Sequence, residues 1–182
     1  MSLKSISTIA LFGAALLVTS SGSAQPAAQP ATPPPNPLDN VPEKMPFDVP
    51  YGAPISLERA QAAIAAAIAE AKKRDWHADV AVVDSGGNLV AFQRMDGAQL
   101  AGIAVSEHKA RAAAMFRRDT KAFESGIQSG LTYQLTLDGM IAARAGIPLI
   151  EGGKLIGAIG CSGGTGAQDE VVCKAGAATI NK

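Results

Sequence analysis

Gly152 to Glu170 reads GGKLIGAIGCSGGTGAQDE, and it divides into three pieces in a fixed order. Gly152-Gly153 is a turn, Leu155 to Ile159 a short apolar strand, and Gly160 to Gly166 a glycine-rich loop. An apolar run of this length between glycine clusters fits a buried strand better than a helix. The alanine- and valine-rich segment from Ala167 then predicts a helix closing the chain near Ile180. A loop this rich in glycine lets backbone N–H groups approach an anion at a helix start. The plainer reading is a tight strand-to-helix turn whose Asp169 and Glu170 complement the helix dipole. Gly160-Cys161-Ser162-Gly163-Gly164 also matches the nucleophile-elbow pattern. That fold needs its histidine after the serine, and His77 and His108 both precede Ser162. No Lys-Ser or Lys-Thr pair follows the glycines, which excludes a phosphate loop.

Working outward, Ile147-Pro148-Leu149-Ile150 pairs with Leu155 to Gly160 across Glu151 to Lys154 as a hairpin. An earlier hairpin runs from Val80 to Asp84, turns at Ser85-Gly86-Gly87-Asn88 and returns from Leu89 to Met95. Ahead of it, Ser56 is a good N-cap, and Leu57, Ala60, Ile64, Ala67, Ile68 and Ala71 recur at helical spacing. Lys72-Lys73-Arg74 close that helix at its negative end. A second helix is expected from about Leu100 to Arg118, with Val105, His108, Ala112 and Met115 on one face and Lys109 at its boundary. Asp119 or Thr120 caps a short helix through Phe123 to about Ile127. Between Leu131 and Ala145 the alternation of Tyr133, Leu135 and Leu137 is broken by Asp138-Gly139, and no element is assigned. Helix, hairpin, helices, hairpin, helix is an α+β pattern with an antiparallel sheet carrying helices.

The chain has 182 residues with a formal net charge of zero, so non-specific nucleic-acid binding has no electrostatic support. Met1 to Ala24 has the form of a signal peptide: Lys4, an apolar core from Ile9 to Val18, and Gly22-Ser23-Ala24 as cleavage site. The apolar run is short for a membrane span. The mature protein is therefore expected to be periplasmic or secreted, with no stable membrane insertion. Gln25 to Pro50, with Pro33-Pro34-Pro35 and Pro37, is expected to be a disordered linker or arm. The folded domain is expected from Tyr51 to Lys182. Cys161 and Cys173 sit where a helix folding back on its strand would bring them together, in a compartment that permits a bridge. Spacing does not prove one, and the pair is read as two small buried thiols.

Val82-Val83-Asp84-Ser85-Gly86-Gly87-Asn88-Leu89, Arg94-Met95-Asp96-Gly97 and Lys109-Ala110-Arg111-Ala112-Ala113 together carry a resemblance. Gly146-Ile147-Pro148, Gly157 to Gly163 and Thr165 to Asp169 extend it in the same order. These residues resemble the GlcG/HbpS-like haem-binding family, most closely its GlcG branch. The likeness covers the chain from about Ser56 to the C-terminus. It implies a profilin-like domain that assembles into homo-oligomers. It implies haem binding in some members, with roles in haem sensing, storage or degradation. Ala112 stands where the family often has threonine, and His108 before Lys109 is not a general family feature.

Haem needs an apolar slab, an axial ligand and cations or N–H groups for its propionates. His108 is the axial candidate, and so the candidate metal ligand, with Lys109, Arg111 and Met115 on the same helix. Ser162, Gly163 and Thr165 are candidates from the loop. Core packing is the commoner use of histidine and methionine in such positions. Asp84, Arg94 and Asp96 are expected to cluster around the first hairpin as either an ion-pair network or a polar pocket facing Lys109 and the Ser162–Thr165 loop, and Asp169 is a further pocket candidate. Carboxylate recognition by Arg94 or Lys109 would suit a small hydroxy- or keto-acid. The spacings of a zinc or iron–sulfur site are absent from the sequence. The reading is an exported haem-binding protein rather than an enzyme. Its rivals are a small-acid binding protein or enzyme and a ligand-free accessory protein.

Overall fold

The structure, a computed structural model, describes residues 39–181. The expected signal peptide, and the linker as far as residue 38, lie outside the described residues. Ser56 caps α1 (Leu57–Lys73), its side chain accepting from the Arg59 N–H. One apolar stripe of that helix, Ala60, Ala63, Ile64, Ala67, Ile68 and Ala71, is buried. The first hairpin follows as β1 (Asp79–Asp84) and β2 (Leu89–Arg94), then α2 (Gly102–Met115) and α3 (Lys121–Gln128). Thr132–Thr136 is a 3-10 turn in the stretch left unassigned from sequence. The second hairpin is β3 (Gly146–Glu151) and β4 (Lys154–Ser162), and α4 (Gly166–Ala177) ends the fold.

The strands form one antiparallel sheet in the order β2-β1-β4-β3. The α+β architecture with two hairpins is therefore as expected. Helices α1 and α4 cover one face over an aliphatic cluster that includes Ile64, Val80, Val82, Ile159 and Val172. Helix α2 covers the other, with Ala110, Ala113 and Ala114 against Ala81, Val83 and Ala158. It lies close. A Cβ on Gly160 would collide with the Ser106 carbonyl oxygen, and one on Gly146 with that of Lys109. Small residues on both sides are what permit this approach.

Cys161 and Cys173 are joined in a disulfide, with Cα atoms 5.6 Å apart. This corrects the expectation of free thiols. The last turn of β4 and the middle of α4 converge inside the same cluster, and such convergence is a tertiary fact that a twelve-residue separation does not encode. The last residues of the expected arm lie against the domain: Arg117 donates to the Val49 carbonyl, and Arg118 stacks on Phe47 at 3.5 Å. Tyr51, where the domain was expected to begin, donates its hydroxyl to the Met115 carbonyl (3.0 Å).

Candidate functional site

Helix α2 sorts its side chains into two environments. Lys109 is buried at 3% exposure, and its ammonium donates to the Cys161 carbonyl and to Asp169 Oδ2, both at 2.9 Å. Asp169 Oδ1 accepts from the Gly164 N–H. Lys109 and Asp169, named from sequence as a propionate or substrate contact and a pocket acid, are thus an internal ion pair joining α2, β4 and α4. Their burial removes them from any surface pocket here. His108 and Lys109 are about 100° apart around the helix, and here Lys109 turns into the interior while His108 stays outside.

His108, Arg111 and Met115 are exposed on the outer side, while Ala112, expected to share their face, is buried. A surface hollow of about 280 Å³ is lined by Ala104, Glu107, His108, Arg111 and Gly139. His108 Nε2 lies 3.2 Å from the Gly139 carbonyl oxygen. If that nitrogen carries the proton, Nδ1 holds the free lone pair. Arg111 donates through Nε to the Gly87 carbonyl at 3.2 Å. Gly87, at φ +81°, lies directly beneath Arg111 and Met115. The glycine turn of the first hairpin is thereby tied to the outer stripe of α2.

The glycine loop follows the plainer reading. Ser162 is buried at the end of β4. Thr165 caps α4 in a reciprocal capping box with Gln168, which occupies the donors an anion would need. Gly163 is where the chain passes His77 and Ala78, closer than any Cβ allows.

Asp84 and Arg94 do not cluster, which corrects the shared-pocket expectation. They stand at opposite ends of the first hairpin. Asp84 Oδ1 accepts from the N–H groups of Gly86 and Asn88 within the turn. Burial opposes its ionisation, but these bonds outweigh burial and hold its pKa below the usual value. Arg94 and Asp96 instead line a hollow of about 400 Å³ with Lys72, His77 and Ile68.

Two features were not found from sequence. Asp79 is fully buried, both carboxylate oxygens lack a partner, and burial pushes its pKa up against the influence of Arg94. Its signal was an acid at the head of the apolar run Asp79 to Val83. The other is a partly buried network in which Glu170 meets Lys121, Arg144 and Lys174, and Arg144 also meets Glu124. Among the described residues no group of three or more His, Cys, Asp or Glu side chains is placed to hold a metal ion. No described helix is long and apolar enough to cross a membrane.

Together these features define a class: a small α+β domain with an antiparallel sheet clasped between helices, bearing an imidazole–guanidinium–thioether stripe outside. The chain belongs to the family described as haem degrading protein HbpS-like, whose model matches residues 55–178. It is similar to Protein GlcG of Escherichia coli K12, 42% identical over 107 residues, covering 59% of this chain and 80% of GlcG. Among solved structures, HbpS superposes with a TM-score of 0.66 at 28% identity, over 76% of this chain and 99% of HbpS. PduOC in complex with haem gives 0.64 at 25% identity, over 71% of this chain and 96% of PduOC.

Proposed function

We propose that this is an exported haem-binding protein, a carrier, buffer or sensor of haem, whose binding face is the outer stripe of α2. The observation that carries the reading is the exposure of His108, Arg111 and Met115 along one line in a chain of the HbpS-like family. The PduOC–haem complex, similar in fold across most of its length, supports haem as the ligand. The donor set fits the group. The imidazole of His108 offers a nitrogen to iron, the outer guanidinium nitrogens of Arg111 suit a carboxylate, and Met115 adds apolar surface. When bound, haem would supply an iron centre with redox and ligand-exchange chemistry. The chain's own part is to present these groups and to hold the His108 ring through Gly139.

At about 280 Å³ the hollow falls below the roughly 300–1,000 Å³ usual for small-molecule pockets. It suits one face or edge of a macrocycle, and a homo-oligomer would cover the remainder. Export is supported by the basic and apolar pattern of Met1 to Ala24 and by a disulfide that reducing compartments disfavour.

Haemin titration of the mature protein, read by absorbance and by co-elution on a sizing column, tests the reading. Saturable stoichiometric binding is expected, with the Soret band lost or shifted in His108→Ala. An unchanged spectrum and affinity in that variant would remove His108, and unsaturable binding would reduce the interaction to adsorption. Following the bound Soret band with a chemical reductant and air separates stable binding from degradation.

A further inference from the structure

Asp79 opens β1 on the face covered by α2, and the elements packed against it withhold a partner. Its register partner on β4 is Ser162, and on β2 it is Arg94. From above comes Gly102, the first residue of α2, so close that a Cβ there would overlap Asp79 Oδ2. Yet the side chain is fully buried and neither carboxylate oxygen has a hydrogen-bond partner. A buried polar group left alone in this way calls for a physical reason.

The charged groups nearby do not supply one. Arg94 acts on Asp79 through its charge and makes no bond to it. Ser162 and Gly102 bring no charge. Lys109, the next cation along α2, is committed to Asp169 and the Cys161 carbonyl. His77, two residues upstream, lays its ring against Gly97 instead.

The start of α2 has the complementary deficit. Ala101 stands at the N-cap position without a side-chain bond, and the first turn holds no acid. The Gly102 N–H reaches the Gln99 carbonyl at 3.0 Å, but that of Ile103 makes only a 3.4 Å bond to the Leu100 carbonyl. Among the described residues the Ala104 N–H meets no protein acceptor. The usual remedy is a side-chain oxygen at the N-cap, accepting from the second or third N–H of the helix. Helices α1 and α4 use it, through Ser56 and Thr165. Helix α2 has instead an orphaned carboxylate against its first residue.

We propose that Asp79 is a proton-controlled cap for α2. Protonated, it carries no charge to satisfy and lies idle beneath Gly102. Ionised, it turns to accept from the Ile103 and Ala104 N–H groups, at the positive end of the helix dipole, and the first turn shifts to meet it. Burial delays that ionisation, raising the pKa of Asp79 despite Arg94. The same turn carries Ala104, a wall of the outer hollow that includes His108. One proton on the inner side of the turn thus sets the shape of the hollow on its outer side. This second step rests on the haem reading of that hollow, whereas the cap does not. The hollow described above belongs to the uncapped form, so haemin is expected to bind that form more tightly.

Amide chemical shifts of Ile103 and Ala104, followed by NMR across a pH series of the mature protein without haem, test the cap. Both should titrate together, with one midpoint above the ordinary carboxylate range. The midpoint should rise in Arg94→Gln, which removes the opposing charge at an exposed position, and the titration should vanish in Asp79→Asn. Wild-type haemin affinity should fall roughly fivefold or more as pH rises through the same midpoint, the lower end of common coupling strengths. Asp79→Asn should show no such step. Amides indifferent to pH would overturn the cap, as would a titration that survives Asp79→Asn. A titrating cap with no step in haemin affinity would overturn its link to the hollow. If haemin does not bind at all, the haem reading falls, and the amide titration still decides the cap.

Discussion

The two faces of the sheet are built on different terms. Beneath α1 and α4 the contacts are aliphatic, with Ile64, Val80, Val82, Ile159 and Val172 around a disulfide. Beneath α2 the contacts are alanines and near-touching backbone, with the buried Lys109–Asp169 pair at one end and Asp79 unpaired in the interior. The first face gains mainly from apolar area and adapts to small changes of volume. The second depends on a few polar atoms and on positions where no side chain fits. Its polar clamp is also what fixes the rotation of α2, and so which residues the helix presents outside.

The largest test of this contrast is Lys109→Ala, which strands Asp169 in the interior. A loss of about 3–5 kcal/mol is expected in urea unfolding. Replacing both partners, Lys109→Met with Asp169→Leu, should recover most of it, since an apolar pair of similar volume often matches a buried ion pair. A single variant as stable as wild type would mean the second face does not rest on its clamp. Next comes the paired change Cys161→Ser and Cys173→Ser, expected to cost about 2–4 kcal/mol. It should leave haemin affinity near wild type if the outer stripe of α2 is positioned independently of the aliphatic face.

The smallest effect is Asp79→Asn, with a gain of about 1 kcal/mol at neutral pH from removing an unpaired buried acid. The sign follows from the raised folded pKa of Asp79. The folded state then holds its proton longer than the unfolded chain, so wild-type stability falls as pH rises from the ordinary carboxylate range through the raised value. The variant should flatten that slope in thermal melts at stepped pH. Glu170 has the opposite sense: hydrogen bonds from Lys174, opposed by burial and aided by Lys121, depress its pKa. Its contribution is present above the ordinary carboxylate range and is lost as pH falls through the depressed value.

Much of the aliphatic face was legible in the sequence, because Leu57 to Ala71 recur at helical spacing and the two hairpins are short apolar runs bounded by glycine-rich turns. The face under α2 was not. Its run of Lys109-Ala110-Arg111-Ala112-Ala113-Ala114 offers little contrast between sides, so periodicity left Lys109 at a boundary and grouped Ala112 with His108. The disulfide arises where distant segments meet, and no local spacing announces it. Within the candidate stripe, His108, Arg111 and Met115 were legible as exposed neighbours only after Lys109 had fixed the helix rotation.

The strap at Phe47 to Tyr51 has a consequence for where the chain tolerates cutting. The Tyr51 hydroxyl closes the end of α2 from 64 residues upstream, and Arg117 and Arg118 grip Val49 and Phe47. A protease trimming the arm ahead of Phe47 would leave the domain whole. A nick just beyond Tyr51 would release that closure and fray the last turn of α2, beside Met115.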